Sequence, residues 1–216
     1  MDDRDDALAY WKGAGATKTF THPVSTDWLA GVGRDVRVLD YGCGYGRIMA
    51  ELDGHGFTDL TGVDPSPALV ARGRGLRPEL RFDIMDSPPA TGHAAAGFGL
   101  VMLFAVLCVV PADRDQLALV AELDRVLAPG GLLYVSDMAL QADERNRSRY
   151  DAHARNAGTP YGVFTADDGA TFRHHDIDVL RDRFAGFEPV AERQLEVGTL
   201  NGHRASAVQF LLRKPE

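Results

Sequence analysis

Asp40, Gly42, Gly44 and Gly46 alternate along the segment Val38 to Arg47, Val-Leu-Asp-Tyr-Gly-Cys-Gly-Tyr-Gly-Arg, just after an apolar run that starts at Val36. Glycines so placed let the backbone turn sharply and let a ligand come close to the main chain. A dinucleotide fingerprint would set its third glycine three residues after the second, and that position is Arg47, so a pyrophosphate ligand fits poorly. Asp40 argues in the same sense, because a carboxylate before the turn repels a pyrophosphate and attracts an ammonium group. Roughly 20 residues downstream, Asp64 ends a second apolar run, Leu60 to Val63, where an acidic side chain accepts from ribose hydroxyls. Together the two carboxylates describe a site for a nucleoside-like ligand that carries positive charge.

A second group lies far along the chain. Phe172-Arg173-His174-His175-Asp176 sets a cation and two imidazoles before a helical pattern, a composition that suits an anionic or protic second substrate. Each member also has a plain structural reading: the histidines as helix-cap or surface residues, Arg173 as a surface ion pair with Asp176 or Asp178. If both histidines are functional, one is expected to face the pocket and the other solvent. Tyr161, in Tyr161-Gly162-Val163-Phe164, and His22, before Pro23, complete the candidate catalytic set of His174, His175, Tyr161, His22 and Arg173. Tyr10, Trp11 and Phe20 could form an aromatic lid over a cation, and Asn201-Gly202 reads first as a hairpin turn.

These residues must be positioned by an alternating framework. Apolar segments at Val36 to Leu39, Leu60 to Val63, Leu80 to Ile84, Leu100 to Phe104 and Leu132 to Val135 read as strands. Helical patterns at about 46–54, 66–74 and 113–127 separate them, the last with an Asp113 start and a Pro129-Gly130-Gly131 stop. Such alternation predicts a mainly parallel sheet covered on both faces, with ligands beyond the carboxyl ends of the strands. A helix from Asp176 to Phe184 and two segments able to pair antiparallel at the sheet edge, Glu188 to Val197 and Ala205 to Leu212, follow a polar, arginine-rich stretch after Asp137. Arg145, Arg147 and Arg149 in that stretch read as a solvated helix face.

Val38 to Leu52, Gly62-Val63-Asp64-Pro65-Ser66 and Arg125-Val126-Leu127-Ala128-Pro129-Gly130-Gly131-Leu132-Leu133-Tyr134 resemble, in order, the class I S-adenosylmethionine (SAM) dependent methyltransferases. The resemblance implies a Rossmann-like, seven-stranded α/β fold, mostly parallel with an antiparallel edge strand and helices on both faces. It implies SAM as cofactor and S-adenosylhomocysteine as product. It places the cofactor against Asp40, Tyr41, Gly42, Cys43, Gly44, Asp64, Pro65, Ile84, Met85, Asp86, Ser87, Leu103 and Phe104, with Asp86 accepting from the adenine amino group. Gly99 and Cys108 depart from the usual pattern of the fourth strand, which weakens any transfer of a catalytic role to Leu107 through Pro111. Tyr10-Trp11, Lys18 to Pro23, Tyr161 to Phe164, Arg173 to His175 and Asn201-Gly202 also resemble a bacterial subgroup of small-molecule methyltransferases, which names residues without naming an acceptor.

The remaining expectations come from bulk properties. A chain of 216 residues with 45% hydrophobic content makes one domain that buries roughly 70% of its unfolded surface. Residues 1–30 would form the lid, 36–137 the SAM-binding core, 138–175 a substrate-side insertion and 176–216 the closing helix and strands. A net charge of -8 disfavours nucleic acid and anionic lipid as partners, and two isolated cysteines give no metal or redox signature. The start Met-Asp-Asp-Arg-Asp-Asp and the shortness of Leu100 to Val110 predict a cytoplasmic protein, monomer or homodimer, without a membrane span. The expected activity is methyl transfer to oxygen or nitrogen of a small molecule. The alternative is a SAM-binding enzyme of the same fold catalysing a reaction such as cyclisation, or a regulatory binder.

Overall fold

In the computed structural model, residues 18, 19, 21–157, 159–167, 169–199 and 202–216 are described. The expected lid residues Tyr10, Trp11 and Phe20, and Asn201, lie outside them. The described residues form nine strands: β1 (Arg37–Tyr41), β2 (Asp59–Asp64), β3 (Arg81–Ile84), β4 (Phe98–Phe104), β5 (Leu127–Met138), β6 (Val163–Thr165), β7 (Thr171–Arg173), β8 (Glu188–Gly198) and β9 (Arg204–Arg213). Among the described residues five α-helices alternate with them: α1 (Arg47–Gly54), α2 (Pro67–Leu76), α3 (Asp113–Val126), α4 (Glu144–Ala157) and α5 (Ile177–Arg183). Seven strands make one sheet in the order β3-β2-β1-β4-β5-β9-β8, and β6 and β7 pair separately as an antiparallel hairpin. β9 runs antiparallel to both neighbours, so the reversed strand sits one place inside the edge strand β8.

Side chains alternate across the central strands, and each face acquires its own core. Leu39, Val101, Leu103 and Val135 pack with Leu119 and Leu123 of α3 and Leu180 of α5, while Val38, Leu100, Met102 and Tyr134 pack with Met49 and Leu52 of α1 and Val70 of α2. The expected two-sided cover follows from this alternation of buried positions on both faces. Local caps set several helix starts: Ser66 Oγ accepts from the Leu69 N–H before α2, and Asp176 Oδ1 accepts from the N–H groups of Asp178 and Val179 at α5. The expected Pro129-Gly130-Gly131 stop is displaced. α3 ends at Val126 and passes straight into β5, because the Gly130 N–H donates to the Lys214 carbonyl and the Lys214 N–H to that of Gly131, drawing these residues into the sheet.

Register decides what meets at the ligand edge. Tyr41 stands beside Val63 and Leu103, Asp64 beside Ile84, and Phe104 beside Ser136. The strand order reverses between β1 and β4, and a crevice opens where neighbouring crossovers leave in opposite directions.

Candidate functional site

The glycine turn after β1 is pinned by the end of β2. The N–H groups of Gly42 and Cys43 donate to the Val63 carbonyl at 2.8 and 3.0 Å, and the Gly44 N–H donates to Asp64 Oδ2 at 2.9 Å. Asp64 Oδ1 accepts from the Ser66 N–H at 2.8 Å. Gly42 and Gly44 hold φ angles of +74° and +54°, where L side chains are strained, and a Cβ on Gly42 would lie 2.5 Å from Val106. Asp40 Oδ2 is buried and lacks a hydrogen-bond partner among the described residues, and burial raises the Asp40 pKa to about 7. Burial likewise raises Asp64 to about 6, against the opposing hydrogen bonds from Ser66 and Gly44. An orphaned carboxylate oxygen beside an open turn, with exposed Ile84 next to Asp64, fits a ligand that brings a cation, hydroxyls and an apolar ring.

Next to the turn lies a cavity of about 130 Å³, walled by the segment before β1, the turn after β4, α4, the β6–β7 hairpin and the turn joining β8 to β9. The chain leaves β4 through Ala105, whose φ of +56° is unusual for a non-glycine residue and is held by its N–H donating to the Ser136 carbonyl at 2.7 Å. His22 and His174 both line the cavity, at 5% and 7% exposure. His22 Nδ1 lies 2.8 Å from Ser136 Oγ, and His174 Nδ1 lies 2.6 Å from the Tyr150 hydroxyl. Burial, assisted by Arg47 for His22 and Arg149 for His174, lowers each imidazole to about 4, so both are neutral at physiological pH. The Tyr150 hydroxyl also accepts from the Gln141 N–H at 3.3 Å, so Tyr150 ties His174 to the loop after β5.

The sequence profile of the methyltransferase domain matches residues 15–168. The chain belongs to that family. Among solved structures, a SAM-dependent methyltransferase of Methanosarcina mazei is 21% identical with a TM-score of 0.82, covering 90% of this chain and 99% of its own. The 1,6-didemethyltoxoflavin-N1-methyltransferase of Burkholderia thailandensis, with its substrate and S-adenosylhomocysteine bound, is 19% identical with a TM-score of 0.67, covering 99% and 86%. The [4+2]-cyclase SpnF is 17% identical with a TM-score of 0.59, covering 99% and 81%. No curated protein sequence matches significantly. This methyltransferase is of class I, its cofactor is SAM and its product S-adenosylhomocysteine. Among the described residues no helix is long and apolar enough to cross a membrane.

The candidate catalytic residues of the methyltransferase separate in space. His22 and His174 reach the cavity; Arg173, His175 and Tyr161 are not among its lining residues. His175, expected either at the pocket or in solvent, points into the core instead, 1% exposed, with Nε2 2.9 Å from Gln116 Nε2 of α3. Arg173 is buried and bonds the Pro111 carbonyl and Asp113 Oδ1, so its ion pair is with the start of α3 and not with Asp176 or Asp178. Tyr161 is 48% exposed and meets Tyr150 edge-on at 5.3 Å. Asp137, at the end of β5, is fully buried and accepts from the N–H groups of Leu107 and Met138.

Around the cofactor turn, Tyr41 is buried and its hydroxyl donates to the Pro89 carbonyl, while Cys43 is buried beneath the turn. Met85 and Leu103 are buried, Pro65 is half-buried, and Asp86 and Ser87 are exposed beyond β3. Phe104 lines the cavity and stacks edge-on against Tyr134 at 4.9 Å. Sequence reasoning missed Ser136 and Tyr150, read Arg145 and Arg149 as a solvated face where they line the cavity, and read the β8–β9 connection as a turn without bringing it to the cavity. Ser136 alone had a signal, as the neighbour of Asp137 at the carboxyl end of a strand.

Proposed function

We propose that this methyltransferase moves the methyl group of SAM to an oxygen or nitrogen of a small molecule held in the cavity beside the glycine turn. The observation that carries the reading is the pairing of a cradle for a cationic nucleoside with an adjoining cavity that presents two neutral, buried imidazoles. Asp40 Oδ2 would receive the ammonium group, and Asp64 would use its remaining lone pairs for the ribose hydroxyls while still holding the turn. Pro65 and Ile84 would offer apolar surface to the base, and the exposed Asp86 would accept from its exocyclic amine. When bound, SAM supplies a methyl group activated by its sulfonium.

The chain's own contribution is orientation and proton placement. Phe104 and Ala105, at the carboxyl end of β4, line the cavity. With the Tyr150 hydroxyl donating to its Nδ1, His174 would carry its hydrogen on Nε2 and donate it to an oxygen of the acceptor, fixing its direction. Ser136 Oγ accepts from Gln209 Nε2 and would take the His22 Nδ1–H on its second lone pair, which would leave the His22 Nε2 lone pair for the proton leaving the acceptor's O–H or N–H. A pKa near 4 makes His22 a weak base, so alignment, able to supply roughly 7–11 kcal/mol, exceeds its proton-transfer contribution.

Calorimetric titration with SAM and with S-adenosylhomocysteine, followed by a metabolite screen read as S-adenosylhomocysteine release, tests the proposal. Binding of both, and turnover that falls about 10²-fold in His22→Gln with cofactor affinity retained, is the expected result. Absence of binding removes the proposal. Binding without methyl transfer to any metabolite would favour a non-methylating reaction or a regulatory role, a reading to which the cyclase of the same fold lends a precedent.

A further inference from the structure

We infer that the acceptor is a small organic anion, a carboxylate on a body about one ring in size, whose charge is received by Arg149 of α4. The inference rests on the reading of the cavity as the acceptor site. The chain carries 31 acidic against 23 basic residues, yet among the described residues the cavity's charged lining is of arginines and histidines, with no aspartate or glutamate. A concave site of one sign inside a protein of the other concentrates counter-ions of the opposite charge, here anions.

The cations are not equivalent. Arg47 belongs to the cofactor side, where its guanidinium donates to the His22 carbonyl and pairs with Glu51. At the other end, Arg145 pairs with Asp167 at 3.8 Å and Arg204 with Glu196 at 3.4 Å, both contacts involving exposed carboxylates. Arg149 has no such partner among the described residues. Its guanidinium lies 4.4 Å over the Phe164 ring and reaches Asn146 Oδ1 at 3.4 Å. Asp143, just before the same helix, is occupied by the backbone and side-chain amides of Asn146. A guanidinium stacked on an aromatic face keeps its in-plane N–H fork free for a planar carboxylate, which it binds in two parallel hydrogen bonds.

Besides these cations the lining includes apolar side chains, among them Phe104, Val109, Met138 and Phe172. A volume of about 130 Å³ is close to the roughly 150 Å³ of an apolar cavity that admits benzene. A single ring or short chain therefore fits between a carboxylate on Arg149 and a hydroxyl or amine near His22. An uncharged acceptor would leave the guanidinium without a counter-charge, and a cationic one would be repelled by it.

The test uses the full chain saturated with S-adenosylhomocysteine and titrated with benzoate, 4-hydroxybenzoate and 3-phenylpropionate, each against its primary amide. At least one acid is expected to bind about tenfold or more tightly than its amide. Arg149→Gln should erase that preference, Arg149→Lys should retain part of it, and neither should change the affinity for S-adenosylhomocysteine or the thermal unfolding profile. Equal affinity for acid and amide across all three pairs, or a preference that survives in Arg149→Gln, overturns the inference while leaving the methyltransferase reading intact. Failure to bind S-adenosylhomocysteine removes that reading, and this inference with it.

Discussion

Asp40 shows how one buried atom links structure to a measurable property. Its Oδ2 has no partner among the described residues, burial raises its pKa to about 7, and the charges that act on it are Arg47, which lowers the pKa, and Asp64, which raises it. A bound ammonium group favours the carboxylate, so below that pKa binding must expel a proton. Affinity for S-adenosylhomocysteine is therefore expected to rise with pH, by up to about tenfold per unit, and to level off above about 7. Titration near pH 6.5 in two buffers of different ionisation enthalpy should show proton release by the native chain and much less by Asp40→Asn, which should also bind more weakly. A flat pH profile in the native chain would detach Asp40 from the cofactor. His22 and His174 stay neutral through this window, since their pKa values lie near 4.

At the level of elements, the β6–β7 hairpin matters because it carries His174 and rests on the loop after β5. The His174 N–H donates to the Gly162 carbonyl at 3.0 Å, and the Leu140 N–H donates to the His175 carbonyl at 2.8 Å. Gly162 has φ +101°, and a Cβ there would stand 2.1 Å from the His174 carbonyl oxygen. Gly162→Ala should therefore push the hairpin off α4 at a cost of about 1–3 kcal/mol. Hydrogen exchange over residues 163–173 should accelerate, and turnover should fall, while S-adenosylhomocysteine affinity is unchanged, because the glycine turn belongs to β1 and β2. Unaltered exchange would mean the hairpin is not fixed at this point.

For the whole molecule, Asp113 joins parts distant in sequence. Its Oδ1 accepts from Arg173 of β7 at 2.7 Å and from Arg183 of α5, two guanidiniums whose side chains are 5% and 9% exposed. Asp113→Asn leaves both with a neutral amide in place of their counter-charge and is expected to destabilise the fold by about 1.5–3 kcal/mol in urea unfolding, with cofactor affinity retained. An unchanged midpoint would show that Arg173 is held by the Pro111 carbonyl alone. The same cluster explains why Arg173 is absent from the cavity: it serves the docking of the hairpin onto α3.

The strands, the glycine turn, Asp40 and Asp64 were legible because they depend on spacing within some 30 residues, and a buried parallel strand followed by a tight turn leaves a local pattern of apolar runs and glycines. The antiparallel pairing of β8 and β9 was legible for the same reason. The fates of His174 and His175 were only half so. Adjacent residues in extended chain point to opposite sides, but what covers each side is decided by Tyr150 and Gln116, one on α4 and one on α3. That Arg149 reaches the cavity, that Asp113 lies under Arg173 and that the β8–β9 turn, itself legible, stands at the pocket carry no signal in the sequence. The sequence by itself thus determined a mainly parallel α/β fold and a site for a cationic nucleoside, which rest on local periodicity and turn chemistry, and its resemblance to the class I methyltransferases named SAM. Tertiary structure alone decided the acceptor cavity, since its walls converge from segments as far apart as residues 22 and 203, and no local pattern encodes a contact between them.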